Sequence, residues 1–176
     1  IPYDDEPTVD VLGYAALIRD IILPLNTEII LEPGRFLVGN AGALLTRVLH
    51  IKDTETRRFV IVDAGMNDMV RPAMYDAYHA IVPVHENTAL PTPCDIVGPV
   101  CESSDVFGTT RSLPSVERGD LLAVMTCGAY GFTMASTYNA RALPAEVMVS
   151  GDKFQVIRAR KLIETLFADE NTPEWI

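Results

Sequence analysis

The sequence predicts a mainly β domain, sandwich or barrel-like, preceded by a short α/β segment. Three observations carry that expectation. Short apolar runs recur from residue 44 onward, set apart by turns rich in Gly, Pro and Asp. Only the N-terminal stretch shows sustained helical spacing of its apolar residues. A chain of 176 residues, 48% apolar and 22% charged, is large enough to bury one core without disulfide or metal staples.

In chain order, residues 8–25, TVDVLGYAALIRDIILPL, place Leu12, Ala15, Ala16, Ile22 and Leu23 near one helical face, and the pattern is expected to end before Pro24. A short β-branched strand over residues 28–31 then breaks at Pro33 and Gly34. One βαβ unit alone takes roughly 30 residues and must bury both sheet faces, so residues 1–36 call for a partner segment. The β domain is expected over residues 37–176. Its strands are LLTRVLHIKD (44–53) and RRFVIVDAG (57–65), joined as a hairpin by DTETR, then CDIVGP, DLLAVMTCGAYG, AEVMVSGD and KFQVIRAR. VSGDKF reads as a tight turn between the last two. RPAMYDAYH predicts a helix over residues 72–79 with Pro72 in its first turn, and RKLIETLF a second one. Pro83, Pro91 and Pro93 mark residues 83–93 as a loop.

Composition excludes several functions. Fourteen basic residues against twenty-four acidic ones give a formal charge of -10, and no stretch is basic enough to collect phosphates, which argues against nucleic-acid binding. A few arginines can still hold an anionic small molecule locally. Cys94, Cys101 and Cys127 are odd in number and lack CxxC spacing, so neither a disulfide framework nor a zinc site is expected, and a reducing, cytoplasmic setting fits. His50, His79 and His85 lack the spacing of a metal triad and read as surface or satisfied core histidines. No apolar run approaches a membrane span. The chain opens with IPYDDEP and no Met, so the expectation is that it lacks its natural start.

Four places carry chemistry. In GPVCESSDVFG (98–108), Cys101, Glu102 and Asp105 crowd together; a thiol among carboxylates suits proton donation rather than thiolate attack. In Glu32-Pro33-Gly34-Arg35, the glycine permits a positive φ or the close approach of a bound group, and the turn reads either as an anion cradle or as an exposed ion pair. Arg71, Tyr75 and His79 are expected to share a helix face at i, i+4 and i+8, and the arginine can clamp a carboxylate or cap the helix. GAYGFTMASTYNAR (128–141) is rich in small residues and carries Tyr130, Tyr138 and Asn139; it is either a ligand-approaching segment or a tightly packed strand.

Taken together, ILEPGR, AGALLTRVLHIK, RFVIVDAGMNDMVRPAMYDAYH, VGPVCESSDVFG, LPSVERGDLLAVMTCGAYGFTMASTYNARALPAEV and QVIRARKLIE resemble, in order and over nearly the whole chain, the C-terminal portion of the fold-type III pyridoxal-phosphate decarboxylases of the diaminopimelate branch. The resemblance implies that residues 1–36 are the end of a (β/α)8 barrel whose N-terminal portion lies outside this chain, and that the whole enzyme is a homodimer with shared active sites. It also implies conversion of meso-2,6-diaminopimelate to L-lysine and CO2 with pyridoxal 5'-phosphate as cofactor. Glu32 would face the pyridine nitrogen, Gly34 and Arg35 would bind the phosphate, and Tyr138 would reach the phosphate and substrate. Arg35, Arg71, Tyr75 and Glu102 would grip the substrate, and Cys101 would be the acid serving the neighbouring subunit. Lys52, Lys153 and Lys161 match no catalytic context, so the lysine that carries the cofactor is absent and the isolated chain is expected to be inactive. Two alternatives remain at this point: a self-contained β-rich binding module, and an ornithine- or arginine-type decarboxylase of the same fold, against which Glu102 and Arg71 speak.

Overall fold

A computed structural model of the chain describes residues 1–3, 7–86 and 88–176. Helix α1 (Val11–Leu17) starts at Asp10, whose carboxylate accepts the Gly13 N–H at 2.9 Å. It continues through a π-helical turn (Ile18–Ile22) and a 3-10 turn (Leu23–Leu25) to Asn26 at φ 50. The helical path thus runs past Pro24 rather than ending before it, because the proline opens a new turn where its missing N–H is not needed. The apolar face of this helix is uncovered among the described residues, with Leu12 83% exposed. The expected strand over residues 28–31 does not form, since the described chain offers it no ladder partner. Helix α2 (Gly34–Val38) follows directly and runs into a 3-10 turn at Gly39–Ala41.

The rest is mainly β. Strands β1 (Leu44–Asp53), β2 (Arg58–Val62), β3 (Ile81–Pro83), β4 (Pro91–Val97), β5 (Val106–Pro114) and β6 (Leu121–Val124) form one sheet in the order β3-β6-β1-β2-β4-β5. All pairs are antiparallel except β2 with β4, which run parallel at Phe59↔Asp95 to Ile61↔Val97. The two edge strands β3 and β5 touch, so the sheet curls into a nearly closed barrel, as the sequence leads one to expect. Val48, Val60, Val62, Met69, Ile96, Phe107, Leu113, Leu122 and Val124 fill its interior. Leu49 is the extra residue of a bulge where Val48 opposes Val62 and His50 opposes Ile61, which bends the long strand β1 around that core.

Several elements depart from expectation. Strand β5 was not anticipated, because Thr109, Thr110, Arg111 and Ser112 interrupt its apolar pattern. Pro91 and Pro93 lie in strand β4 rather than in a loop. They fall where only β5 flanks it, so no ladder bond on the β2 side is lost. Helix α3 covers Arg71–Tyr75 and stops at Asp76, which adopts the left-handed conformation (φ 51), instead of reaching residue 79. The segment DLLAVMTCGAYG is strand only over β6; Thr126 (φ 60) and Tyr130 (φ 63) turn the remainder. Strands β7 (Glu146–Ser150) and β8 (Lys153–Arg158) form a separate hairpin, with Gly151 (φ +60) in the expected tight turn. The C-terminal RKLIETLF forms a 3-10 helix over Ile163–Phe167. No helix among the described residues is long and apolar enough to cross a membrane.

Candidate functional site

Two arginines come together around two tyrosines. The Arg35 guanidinium carbon lies 6.0 Å from the centre of the Tyr3 ring and 5.8 Å from that of Tyr130. That of Arg71 lies 4.4 and 5.5 Å from the same two rings. Neither arginine has a carboxylate partner among the described residues. Two guanidiniums held on a shared aromatic frame, with no counter-anion among the described residues, form a donor set for an anionic ligand, to which they offer planar, bidentate hydrogen bonding.

The backbone explains why they meet. Gly128 donates to Gly39 O at 3.0 Å and Cys127 to Gly42 O at 2.8 Å, which ties the end of α2 to the GAYG turn. The approach is so close that a Cβ on Gly128 would overlap the Val38 carbonyl oxygen. Arg35 on α2 and Tyr130 past Gly128 are thereby set side by side. Arg71 reaches the same place from the start of α3, and Tyr3 from the N-terminal segment.

Behind Arg71 stands His79, fully buried (0% exposed). Its Nδ1 is 2.9 Å from Met125 O, its Nε2 3.5 Å from Arg71 Nη1, and Tyr3 meets its ring edge-on with centroids 5.0 Å apart. Burial lowers its pKa below 6.5, and the neighbouring charges of Arg71 and Arg111 push the same way, against the bond to Met125. The shared helix face of Arg71, Tyr75 and His79 is therefore not formed. Arg71 and His79 meet because the chain turns back after α3, and Tyr75 points to solvent, 60% exposed.

Glu32 sits exposed just ahead of α2 and Gly34 is the exposed first residue of that helix, its N–H donating to Glu32 O at 2.8 Å. Gly34 has no positive φ, and nothing lies within 4 Å of where its Cβ would be, so of the two uses expected for this glycine the open approach is the one available. The four residues are the entry to a short helix rather than a free turn.

Cys101 and Glu102 are exposed on a loop organised by Asp105, which plays a different part from its neighbours. The Asp105 carboxylate is buried and accepts the Met66 and Val100 N–H groups at 2.7 Å each, while its carbonyl accepts from Gly98 N at 2.9 Å. Desolvation raises its pKa, partly countered by those two backbone bonds. Asp105 is thus the anchor that presents the CES residues outward. Beside the loop, a groove of about 420 Å³ runs between Ser104, Gly108 and Arg111 on one side and Pro72, Asp76 and Tyr78 on the other, with Arg111 stacked 3.9 Å over the Tyr78 ring.

Tyr138 is 47% exposed in a 3-10 turn (Tyr138–Ala140) whose Asn139 is at φ 60. Its position is set by Arg141, which donates to Asn67 Oδ1 at 2.7 Å and Asp63 O at 2.5 Å and lies 3.6 Å from Asp68 Oδ2. No hydrogen bond or ring contact among the described residues links Cys101, Glu102, Tyr75 or Tyr138 to the arginine pair. Cys94 is buried and Cys127 half-buried; burial pushes the Cys127 thiol up to about 11, which leaves it a neutral packing group.

Sequence reasoning passed over Tyr3, placed His79 on a helix face that does not form, and noticed Tyr130 only as one member of a small-residue segment. The motif order carried no signal that three such separated residues converge.

A curled sheet of this order, with an EPGR helix entry and an RPAMY helix converging on its open arginines, defines the protein class. The chain belongs to the family described as pyridoxal-dependent decarboxylase, C-terminal sheet domain, whose family model matches residues 3–128. Within that class the similarity is to diaminopimelate decarboxylases. The chain is 51% identical over 174 residues to the one from Zymomonas mobilis subsp. mobilis, a match covering 98% of this chain and 41% of that protein. Solved structures of diaminopimelate decarboxylase agree. The one from M. jannaschii gives a TM-score of 0.94 at 43% identity, covering 99% of this chain and 42% of that one. The one from Helicobacter pylori complexed with L-lysine gives 0.89 at 45%, covering 96% and 41%. The chain therefore spans about two fifths of the length of these relatives.

Proposed function

We propose that this chain is the sheet-domain portion of a cytoplasmic, pyridoxal-5'-phosphate-dependent diaminopimelate decarboxylase that converts meso-2,6-diaminopimelate to L-lysine and CO2. The observation that carries the reading is the pair of guanidiniums, Arg35 and Arg71, on the Tyr3–Tyr130 frame with no carboxylate partner among the described residues. A substrate with two carboxylates and two amines needs cations at its acid groups and a carboxylate at its distal amine. The relatives' activity and the L-lysine bound in the Helicobacter pylori structure support the same assignment.

The cofactor, when bound, supplies an electron sink for the pair left behind as CO2 departs. Glu32 would face its ring nitrogen and keep that nitrogen protonated. Gly34, beside which the space is open, and Arg35 would hold its phosphate together with the Tyr138 hydroxyl. The exposed positions of these residues and the open space at Gly34 fit such a ligand. Arg35 and Arg71 bind substrate carboxylates, with Tyr75 and Tyr138 adding hydroxyl contacts, and Glu102 accepts hydrogen bonds from the distal ammonium. Cys101 delivers a proton to the substrate carbon that loses CO2, across the interface to the other subunit of a homodimer. The covalent cofactor lysine and the rest of the phosphate site belong to the N-terminal barrel portion that the relatives carry, so this chain alone is inactive.

The test is lysine formation from meso-diaminopimelate by the full gene product with pyridoxal phosphate. Cys101→Ala lowers turnover and leaves affinity nearly intact. Glu102→Gln weakens binding, since one charge-assisted bond is worth about 1.5–3 kcal/mol. Absence of activity in the folded wild-type protein refutes the assignment. Preference for ornithine or arginine over diaminopimelate transfers it to the other branch of the fold.

A further inference from the structure

We infer that His79 is a positioning residue for Arg71: its ring, locked as the neutral Nδ1–H tautomer, presents a bare Nε2 that receives the guanidinium and holds it in one orientation for the ligand. The inference rests on the reading that Arg71 grips a substrate carboxylate.

Met125 fixes the tautomer of the ring. A backbone carbonyl only accepts, so the ring nitrogen 2.9 Å from Met125 O carries the hydrogen. The ring is wholly buried, and among the described residues the charged groups that act on it are cations: Arg71 from α3 at 3.5 Å and, farther off, Arg111 from β5. Tyr3, from the N-terminal segment, packs against it in a T-shaped contact. No carboxylate among the described residues stabilises an imidazolium, and desolvation lowers the pKa, so Nε2 stays unprotonated at neutral pH. Among the described residues its lone pair meets the Arg71 Nη1 N–H.

This arrangement has a purpose that packing alone does not need. Arginine carries several rotatable bonds, and each one frozen on ligand binding weakens the complex. Here the Tyr3 face at 4.4 Å, the Tyr130 face at 5.5 Å and Nε2 fix three sides of the Arg71 guanidinium beforehand. His79 uses none of Arg71's other donors, which remain for an anion. Because a carboxylate is gripped equally before and during the chemistry, loss of the support raises KM and spares kcat.

The test has two independent readouts. In the isolated chain, labelled with 15N-histidine, two-bond 15N–1H correlations at pH 7 show His79 with Nδ1 protonated and Nε2 bare; an Nε2–H tautomer or an imidazolium overturns the inference. In the full gene product, two variants separate the two ring nitrogens. His79→Gln places an amide oxygen near the Nε2 position and keeps KM for diaminopimelate within about threefold of wild type. His79→Asn mimics Nδ1 alone and raises KM about tenfold, with kcat within about twofold. Equal KM in wild type and both variants refutes the inference while leaving the decarboxylase reading intact. A wild-type protein with no decarboxylase activity refutes that reading, and the histidine tautomer, together with slower Arg71 guanidinium rotation in wild type than in His79→Asn, still decides the positioning role.

Discussion

The loop that presents Cys101 and Glu102 hangs on a single carboxylate, so Asp105→Ala is the most informative stability test. The substitution removes the acceptor of two backbone N–H groups, Met66 and Val100, each bound at 2.7 Å. A hydrogen bond to a charged acceptor contributes about 1.5–3 kcal/mol, so the pair is worth about 3–6 kcal/mol gross. Removing a buried carboxylate also relieves its desolvation, the same cost that raises its pKa, and this offsets part of the loss. The net cost is then about 2–4 kcal/mol, or a fall of about 5–15 °C in melting temperature for a domain of this size. Asp105→Asn keeps one oxygen but turns an NH2 toward the other N–H, and falls between Ala and wild type. The sign of the pH dependence follows from the raised pKa. The folded state holds this proton more tightly than the unfolded one, so protonation adds a further stabilising increment that is full below the ordinary value of 3.8 and is lost as pH rises through the folded value, leaving at neutral pH the net anchoring by the ionised carboxylate. The assay is thermal unfolding followed by circular dichroism, combined with amide hydrogen exchange at Met66 and Val100. A shift below about 2 °C for Asp105→Ala, with both amides as protected as in wild type, refutes the anchoring argument.

Other consequences are open to direct measurement. Gly128→Ala drives a methyl into the Val38 carbonyl and separates α2 from the GAYG turn, at a cost of about 2–3 kcal/mol in urea unfolding. It also detaches Arg35 from Tyr130, visible as increased mobility of the Arg35 side chain. His79 has a lowered pKa, so the stability it contributes is present above 6.5 and is lost as pH falls through its folded value, with a slope of at most about 1.4 kcal/mol per pH unit. His79→Gln removes that part of the acid sensitivity, and an unchanged slope in the variant counts against a buried neutral ring. With a thiol reagent at pH 8, mass spectrometry finds Cys101 labelled first, because it is exposed. Cys127, held up at about 11, has only about one thiolate in a thousand, and it and the buried Cys94 are labelled later. Arg141→Met cuts the ties to Asn67, Asp63 and Asp68 and costs about 1–2 kcal/mol given the half-open setting, and a double-mutant cycle with Asn67→Ala recovers the coupling.

The sequence by itself determined the class of fold and the inventory of chemistry. Short apolar, β-branched runs such as RFVIV and the VSGDKF turn specify strands and a hairpin locally, because strand composition and turn chemistry are properties of adjacent residues. Strands β3 and β5 were illegible for the converse reason: one is three residues long, and the other is polar along its exposed side, so their strand character comes from partners elsewhere in the sheet. The strand expected at residues 28–31 fails by the same rule, having pattern without partner. Among the candidate residues, Arg35, Arg71, Cys101 and Glu102 could be picked out by residue type, and the structure brings the two arginines together. Only the tertiary structure decided that Asp105 is an anchor, since a carboxylate's role depends on whether backbone N–H groups close around it. Only the fold, likewise, ended α3 at Asp76 and brought His79 back against Arg71, with Tyr3 and Tyr130 completing the frame. Those contacts join residues far apart in the chain, and no local periodicity encodes a distance that loop closure and core packing set together.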